Sequence, residues 1–136
     1  MTTPNTAARR TTETLRAAVS GGVFVPGEAG YDEARQAWNL ATDERPAVVV
    51  MARSAADVAH AVRYARSRGM RIAPQGTGHG SEPLEPLQGA MLLRTVQMRG
   101  VRIDPAAGIA RAEAGALWQD VTVSGRSKAA AAASGW

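Results

Sequence analysis

"PAVVVMARSAADVAHAVRYARSRGMRIAPQGTGHG", residues 46–80, contains the pattern that decides the fold. It begins with a continuous apolar and largely β-branched run at 46–52, which is typical of a strand covered on both faces. Ser54 then supplies a helix N-cap and Gly69 a left-handed C-cap, so the residues between them predict a helix. A second short strand is predicted at 70–74. Strand, helix and strand within about thirty residues indicate a βαβ unit with two parallel strands.

One face of the predicted helix is apolar, which favours packing against a sheet. Its apolar positions are Val58, Ala61, Val62 and Ala65. We expect them to form one buried cluster with Val48, Val49, Val50 and Ile72 from the two strands. Other segments predict helices at 12–19 and 32–40, an apolar run at 23–25, a strand at 90–93, a hairpin of 101–104 with 109–113, and a short helix from 115 to 121. Tyr31 and Trp38 are expected to be packing residues.

A glycine-rich loop, "QGTGHG" at 75–80, follows the second predicted strand. Glycine lets successive backbone N–H groups converge, and converging N–H groups bind anionic oxygens. The loop is not a P-loop, because no Gly-Lys-Ser/Thr follows it, and its glycine spacing differs from the dinucleotide-binding fingerprint. By spacing alone, a plain turn and an anion-binding loop both remain open. The carboxyl end of a parallel strand is where open α/β sheets bind ligands.

His79 lies inside this loop between two glycines, which leave its imidazole unobstructed. Such an imidazole can act as a base, a hydrogen-bond donor or a nucleophile toward a bound cofactor. His60, in the middle of the predicted helix, is interpreted as structural. No second histidine and no carboxylate cluster lies at a suitable spacing in the sequence to form a metal site with His79. No metal is therefore predicted.

Composition narrows the class of protein. The chain has 136 residues, is 45% hydrophobic and 21% charged, carries a net charge of +4 and has no cysteine. This describes one globular domain or part of a larger one, without disulfides or thiolate metal sites. The arginines are scattered among acidic residues and aromatic residues are few, so a nucleic-acid-binding module is disfavoured. No apolar run predicts a membrane span or a secretory signal, and we expect a cytoplasmic location without a membrane partner.

Several ordered motifs together resemble a known family. They are "GYDEARQAWN" at 30–39, "RPAVVVMARSAADVAHAVRYARSRGMRIAPQGTGHG" at 45–80 and "RIDPAAGIARAEAGALWQDV" at 102–121. They are similar to the N-terminal part of the FAD-binding, PCMH-type oxidoreductases of the vanillyl-alcohol oxidase and berberine-bridge-enzyme-like family. The resemblance covers roughly residues 15–121.

The resemblance implies an α+β fold. It would be the βαβ-containing first subdomain of that family's FAD-binding domain, with only the start of the second subdomain. It also implies FAD as cofactor, with its pyrophosphate bound by the loop residues Gln75, Gly76, Thr77, Gly78, His79 and Gly80. His79 holds the position of a histidine that is often bonded covalently to the flavin's 8α carbon. The turn at 115–116 resembles a second place where the backbone approaches the cofactor.

Two departures concern the loop. The family often has arginine or another residue ahead of the glycines, where this chain has Pro74-Gln75, and serine or asparagine after the histidine, where this chain has Gly80. Neither removes a backbone donor. A cysteinyl flavin link, found in some members, is excluded by the absence of cysteine.

The chain is also shorter than the family's flavin domain, and we expect a truncated product. The predicted division is a helical lead-in at 1–41, a partial FAD-binding domain at 42–123 and an alanine-rich, non-native tail at 124–136. The parent reaction implied is hydride transfer from an alcohol-like substrate to FAD and on to dioxygen or another acceptor. The alternative is a non-catalytic fragment with weak flavin binding or none. The sequence defines neither the substrate, nor the catalytic base, nor the oligomeric state.

Overall fold

The computed structural model describes residues 5–81 and 87–133 and divides the chain into two compact units between residues 97 and 98. The elements of the first unit are α1 (Asn5–Ala18), β1 (Gly22–Phe24), α2 (Tyr31–Arg35), β2 (Val48–Met51), α3 (Ala55–Ser67), β3 (Ile72–Gln75) and β4 (Met91–Arg94). Those of the second unit are β5 (Val101–Asp104), β6 (Ile109–Ala112) and α4 (Trp118–Ala133). The expected mixture of helices and strands is confirmed.

The first unit is built on a four-stranded sheet in the order β1-β2-β4-β3. β2, β4 and β3 are mutually parallel, and β1 pairs with β2 in the antiparallel direction. The predicted common direction of the two strands that flank α3 is therefore confirmed. The expectation that β2 and β3 pair with each other is wrong, because β4 lies between them and hydrogen-bonds to both. All four residues of β4 are buried. An interior position between two parallel strands suits a strand that is mostly apolar.

Side chains from β2 and β4 fill both faces of this sheet. Val49 and Leu92 belong to a buried cluster with Tyr31, Ala34, Leu87 and Ala90. Since side chains alternate along a strand, Val48 and Val50 point to the opposite face. The three valines are buried as predicted, but they do not share one cluster, because the sheet separates them.

α3 confirms the predicted caps. The Ser54 side chain accepts a hydrogen bond from the Asp57 backbone N–H, and Gly69 has φ of +62° just beyond the helix. Ala61 and Ala65 are buried as predicted, whereas Val58 is half-buried. The expectation that Val62 is buried is wrong, since it is 43% exposed.

α2 is shorter than predicted, since it ends at Arg35 rather than near Leu40. A longer helix would use the Ala34 carbonyl for the Trp38 N–H. Instead the Arg94 guanidinium donates to the Ala34 carbonyl oxygen at 3.1 Å, and Trp38 N donates to Thr77 O at 2.9 Å. Tyr31 is buried as predicted, but Trp38 is 75% exposed, so its expected packing role is wrong.

The second unit contains the predicted hairpin, in which β5 and β6 pair antiparallel with Asp104 opposite Ile109. α4 follows the hairpin, and Asp120 Oδ2 accepts from the Leu117 N–H at its start. The helix runs across the boundary predicted between residues 123 and 124, and Ser134–Trp136 lie outside the described residues. The predicted boundaries at 41/42 and 123/124 stay predictions.

Candidate functional site

The predicted site loop, residues 76–80, begins where β3 ends at the carboxyl edge of the parallel strands. Gln75, the last residue of β3, is in register with Arg94, the last residue of β4. The Gln75 carbonyl oxygen accepts from the Thr95 N–H at 3.0 Å, which ties the start of the loop to the chain just beyond β4. The structure thus places the glycine loop at the sheet edge where parallel α/β proteins bind ligands.

Two further carbonyls of the loop accept hydrogen bonds, one from a residue after α2 and one from the end of the loop itself. Thr77 O accepts from the Trp38 N–H at 2.9 Å. Gly78 O accepts from the Ser81 N–H at 3.3 Å and from the Ser81 hydroxyl at 2.8 Å. Because the carbonyl and N–H groups of one peptide point in opposite directions, the bond from Trp38 to the Thr77 carbonyl turns the Gly78 N–H away from Trp38.

The backbone N–H groups of residues 76–80 make no hydrogen bond to any residue in the described parts of the chain. Gly78 in the middle has φ of +77°, a left-handed conformation that glycine adopts without strain. A left-handed residue within a turn makes successive N–H groups converge into a concave anion-binding nest. The loop therefore offers several donors in one short segment.

Space around the loop differs from one glycine to the next. A Cβ atom added at Gly76 or Gly80 would meet nothing within 4 Å. A Cβ atom at Gly78 would lie 2.8 Å from the Ala37 Cβ atom and 2.9 Å from the Gln75 Cδ atom. Gly76 and Gly80 thus border open space, while Gly78 is pressed against the protein. Free N–H groups beside open space fit an anionic diphosphate such as that of FAD.

Buried polar side chains surround the residue at which the loop begins. The Gln75 side-chain nitrogen donates to the two carboxylate oxygens of Glu44 at 3.0 and 3.2 Å. Arg94 Nη1 donates to the carbonyl oxygens of Ala34 and Gln36 at 3.1 and 2.8 Å. Burial lowers the pKa of the Arg94 guanidinium, and the Glu44 carboxylate opposes that shift. Opposite charges buried near each other reduce the cost of removing both from water.

Two atoms of these side chains, Gln75 Oε1 and Arg94 Nε, are buried without a hydrogen-bond partner. One is an acceptor and the other a donor, and the two residues are neighbours across paired strands. Sequence reasoning missed Glu44 and Arg94 as supports of the loop. The sequence does contain one indication of them: Arg94 ends the apolar strand "MLLR". A charged side chain in a buried strand requires hydrogen-bond or charge partners.

His79 is exposed on the loop, as its glycine neighbours predicted. Its Nδ1 atom lies 2.7 Å from the Thr77 hydroxyl oxygen, a hydrogen-bond distance. The six predicted site residues are consecutive in the sequence, and the structure places Gln75 at the end of β3 and the other five in the loop that follows it.

The turn at 115–116, predicted as a second place where the backbone approaches the cofactor, lies in the second unit. Gly115 N donates to Met98 O at 2.9 Å, and Ala116 N donates to Glu113 O at 3.0 Å. Both N–H groups are therefore already used within the second unit.

Among residues 5–81 and 87–133, no group of three or more histidine and carboxylate side chains is arranged to hold a metal ion. Within the same described residues, no helix is long and apolar enough to cross a membrane.

Comparison with known proteins identifies the class that this fold and loop define. The FAD binding domain family matches residues 46–133, a range that contains the parallel strands, the glycine loop and the second unit's hairpin. The chain belongs to this family, and FAD is its cofactor.

Individual relatives are oxidoreductases. The chain is 30% identical to (R)-6-hydroxynicotine oxidase of Paenarthrobacter nicotinovorans over 103 residues, which are 76% of this chain and 22% of that protein. It is 40% identical to the FAD-dependent monooxygenase FUP4 of Fusarium proliferatum over 75 residues, which are 54% of this chain and 14% of that protein.

Solved structures agree with this assignment. The crystal structure of 6-hydroxy-D-nicotine oxidase from Arthrobacter nicotinovorans matches with a TM-score of 0.67 and 30% identity, over 76% of this chain and 23% of that one. The berberine-bridge-enzyme-like protein 1 of Physcomitrella patens, in its D396N variant, matches with a TM-score of 0.67 and 28% identity, over 77% and 23%. The expected fold class, FAD as cofactor and the resemblance to this family are confirmed. The chain spans about a quarter of the length of these two matched structures.

Proposed function

We propose that residues 75–80 bind the pyrophosphate of FAD in an oxidoreductase. The observation that carries this proposal is the row of backbone N–H groups at 76–80, which lack partners among the described residues and border open space at Gly76 and Gly80. Backbone donors suit a diphosphate because they cannot lose a proton and their directions are fixed by the fold. The carbonyl bonds to Trp38 and Ser81 hold those directions before the ligand arrives.

In this proposal FAD supplies the redox chemistry, accepting a hydride from an alcohol-like carbon and passing the electrons to dioxygen or another acceptor. The chain's own contribution is binding and orientation. Gln75 fixes the start of the loop through Glu44, and Gly78 provides its left-handed turn. His79 is exposed beside the donors, where its imidazole is accessible to a ligand bound on the loop.

We further propose His79 as the point of covalent flavin attachment. His79 would supply the imidazole nitrogen for such a bond to the flavin's 8α carbon; the bond would release two protons and two electrons, which dioxygen would take up as hydrogen peroxide. Histidine is suited to this role because its neutral ring carries a nucleophilic nitrogen near neutral pH.

The binding proposal is tested by titrating the chain with FAD and following flavin fluorescence. Gly76→Ala should weaken binding at least tenfold, because the new methyl group enters the open space proposed for the pyrophosphate. Gly125→Ala is the matched control: a Cβ there also meets nothing within 4 Å, but it lies in α4 outside the loop. Equal affinity of the two variants would show that the loop is only a connector.

The attachment proposal has a separate test. Acid precipitation of protein purified with FAD should leave yellow flavin in the pellet, and His79→Ala should release it to the supernatant. His60→Ala is the control, since His60 lies on α3. Retention of covalent flavin by His79→Ala would contradict the attachment and leave the binding proposal standing.

A further inference from the structure

The end of α2 is set by a side chain that comes 60 residues later in the sequence than the last carbonyl of its final turn. Arg94 Nη1 donates to Ala34 O at 3.1 Å and to Gln36 O at 2.8 Å. In a continued helix these two carbonyls would accept from the backbone N–H groups of residues 38 and 40. Arg94 therefore occupies both of the acceptors that the next turn of α2 would require.

The segment after α2 is itself compatible with a helix. Residues 31–45 contain no glycine and no proline, and Gln36, Ala37 and Leu40 are residue types that favour helices. Gln36 nevertheless has φ of −67° and ψ of 119°, which is an extended conformation. Local propensity and the observed backbone thus disagree, and the hydrogen bonds of Arg94 account for the difference.

The Trp38 N–H has two competing acceptors. In a longer α2 it would donate to Ala34 O, whereas in the structure it donates to Thr77 O in the glycine loop at 2.9 Å. Arg94 already donates to Ala34 O, which favours the bond to the loop. Since one N–H cannot reach both carbonyls, the length of α2 and the anchoring of the loop form one equilibrium between two arrangements.

Arg94 is well suited to hold one of these arrangements. Its side chain is buried, and hydrogen bonds from a charged donor are stronger than those between neutral groups. If the bonds to Ala34 O and Gln36 O were broken, a buried charge would lose its partners, which is costly. The arrangement in which α2 ends at Arg35 is therefore strongly favoured in the unaltered chain.

We propose that Arg94 is a positioning residue for the glycine loop: it holds the carbonyls at the end of α2 and thereby directs the Trp38 N–H to Thr77 O. That bond orients the Gly78 N–H, one member of the donor row at 76–80. The role of the row toward a diphosphate rests on the proposed function above. The coupling between α2 and the loop is a property of the chain alone.

The first test uses the 136-residue chain without flavin and measures ¹³Cα chemical shifts, which report helical backbone residue by residue. Arg94→Met should give helical shifts at residues 36–40 and should move the Gly78 amide signal. Arg94→Lys keeps a charged donor and should show a smaller change. Asp57→Ala is the control, because it removes buried hydrogen bonds in the same unit and should leave residues 36–40 extended.

A second variant removes the charge imbalance that Arg94→Met creates. The Glu44 carboxylate opposes the lowering of the Arg94 pKa by burial, so each charge stabilises the other. Glu44→Gln combined with Arg94→Met removes both charges and leaves neither buried without its partner. The double variant should also extend α2, whereas Glu44→Gln alone keeps Arg94 and should not.

Titration with inorganic pyrophosphate separates this inference from the proposed function. If Arg94→Met leaves the loop anchored in about a tenth of the molecules, the dissociation constant should rise about tenfold. Extended shifts at 36–40 in folded Arg94→Met and in the double variant would overturn the inference, as would a longer α2 with an unmoved Gly78 signal. If the unaltered chain binds no pyrophosphate but Arg94→Met extends α2 and moves that signal, the proposed function fails and the inference stands.

Discussion

Gly78 is required for the conformation of the loop, whereas Gly80 lies beside open space, and alanine at each position separates the two environments. Gly78 has φ of +77°, and an alanine Cβ there would lie 2.8 Å from the Ala37 Cβ atom. A left-handed non-glycine residue costs roughly 1–2 kcal/mol, and overpacking a tight site adds about 1–3 kcal/mol. Gly78→Ala should therefore lower the free energy of unfolding by about 2–5 kcal/mol.

Gly80→Ala is the control for this reasoning, because its Cβ would meet nothing within 4 Å and its φ is not in the left-handed region. Alanine at a compatible glycine position changes stability by about 0.4–1 kcal/mol in the favourable direction, through the unfolded chain. Urea unfolding followed by far-ultraviolet circular dichroism measures both variants. Equal unfolding midpoints for Gly78→Ala and Gly80→Ala would refute the assigned roles.

Two other predictions concern buried carboxylates. Asp57 is buried and accepts from Ser20 N, the Ser20 hydroxyl and Arg53 N at 2.8, 2.8 and 2.9 Å, so Asp57→Ala should cost about 2–4 kcal/mol in urea unfolding. Burial alone would raise the pKa of Asp57, but these donors outweigh it and lower the pKa. The carboxylate's contribution is therefore present above about pH 4 and lost as the pH falls through the folded-state pKa, so the stability gap between wild type and Asp57→Ala should close in acid. Gln75→Glu should place a second carboxylate where the amide nitrogen now lies 3.0 Å from Glu44, with a cost of about 2–3 kcal/mol at pH 7 that shrinks as the pH falls and one carboxyl takes up a proton. A cost independent of pH would contradict that cause.

Much of this fold is local enough to be predicted from sequence. The caps of α3 are set by Ser54 and Gly69, which act within one turn of the helix. The hairpin of β5 and β6 depends on a short turn between adjacent strands. The glycine loop was located because it follows a strand directly in the chain. In each case the determining residues are close in sequence.

The features that were missed depend on partners distant in sequence. β4 enters the sheet between β2 and β3, and no local pattern in β3 specifies which strand it pairs with. α2 ends early because Arg94, 60 residues further on, takes the Ala34 carbonyl. The bond between Gln75 and Glu44 spans 31 residues. Tertiary contacts of this kind override local propensity, and a single sequence does not reveal them.

We propose that the backbone N–H groups of residues 76–80 bind the pyrophosphate of FAD. The most direct measurement is a ¹H–¹⁵N amide NMR titration of the chain with FAD, repeated with inorganic pyrophosphate. Both ligands should shift the amide signals of residues 76–80 most strongly and leave that of Gly125 unchanged. Saturable FAD binding that shifts amides elsewhere, with those of 76–80 unmoved, would contradict it.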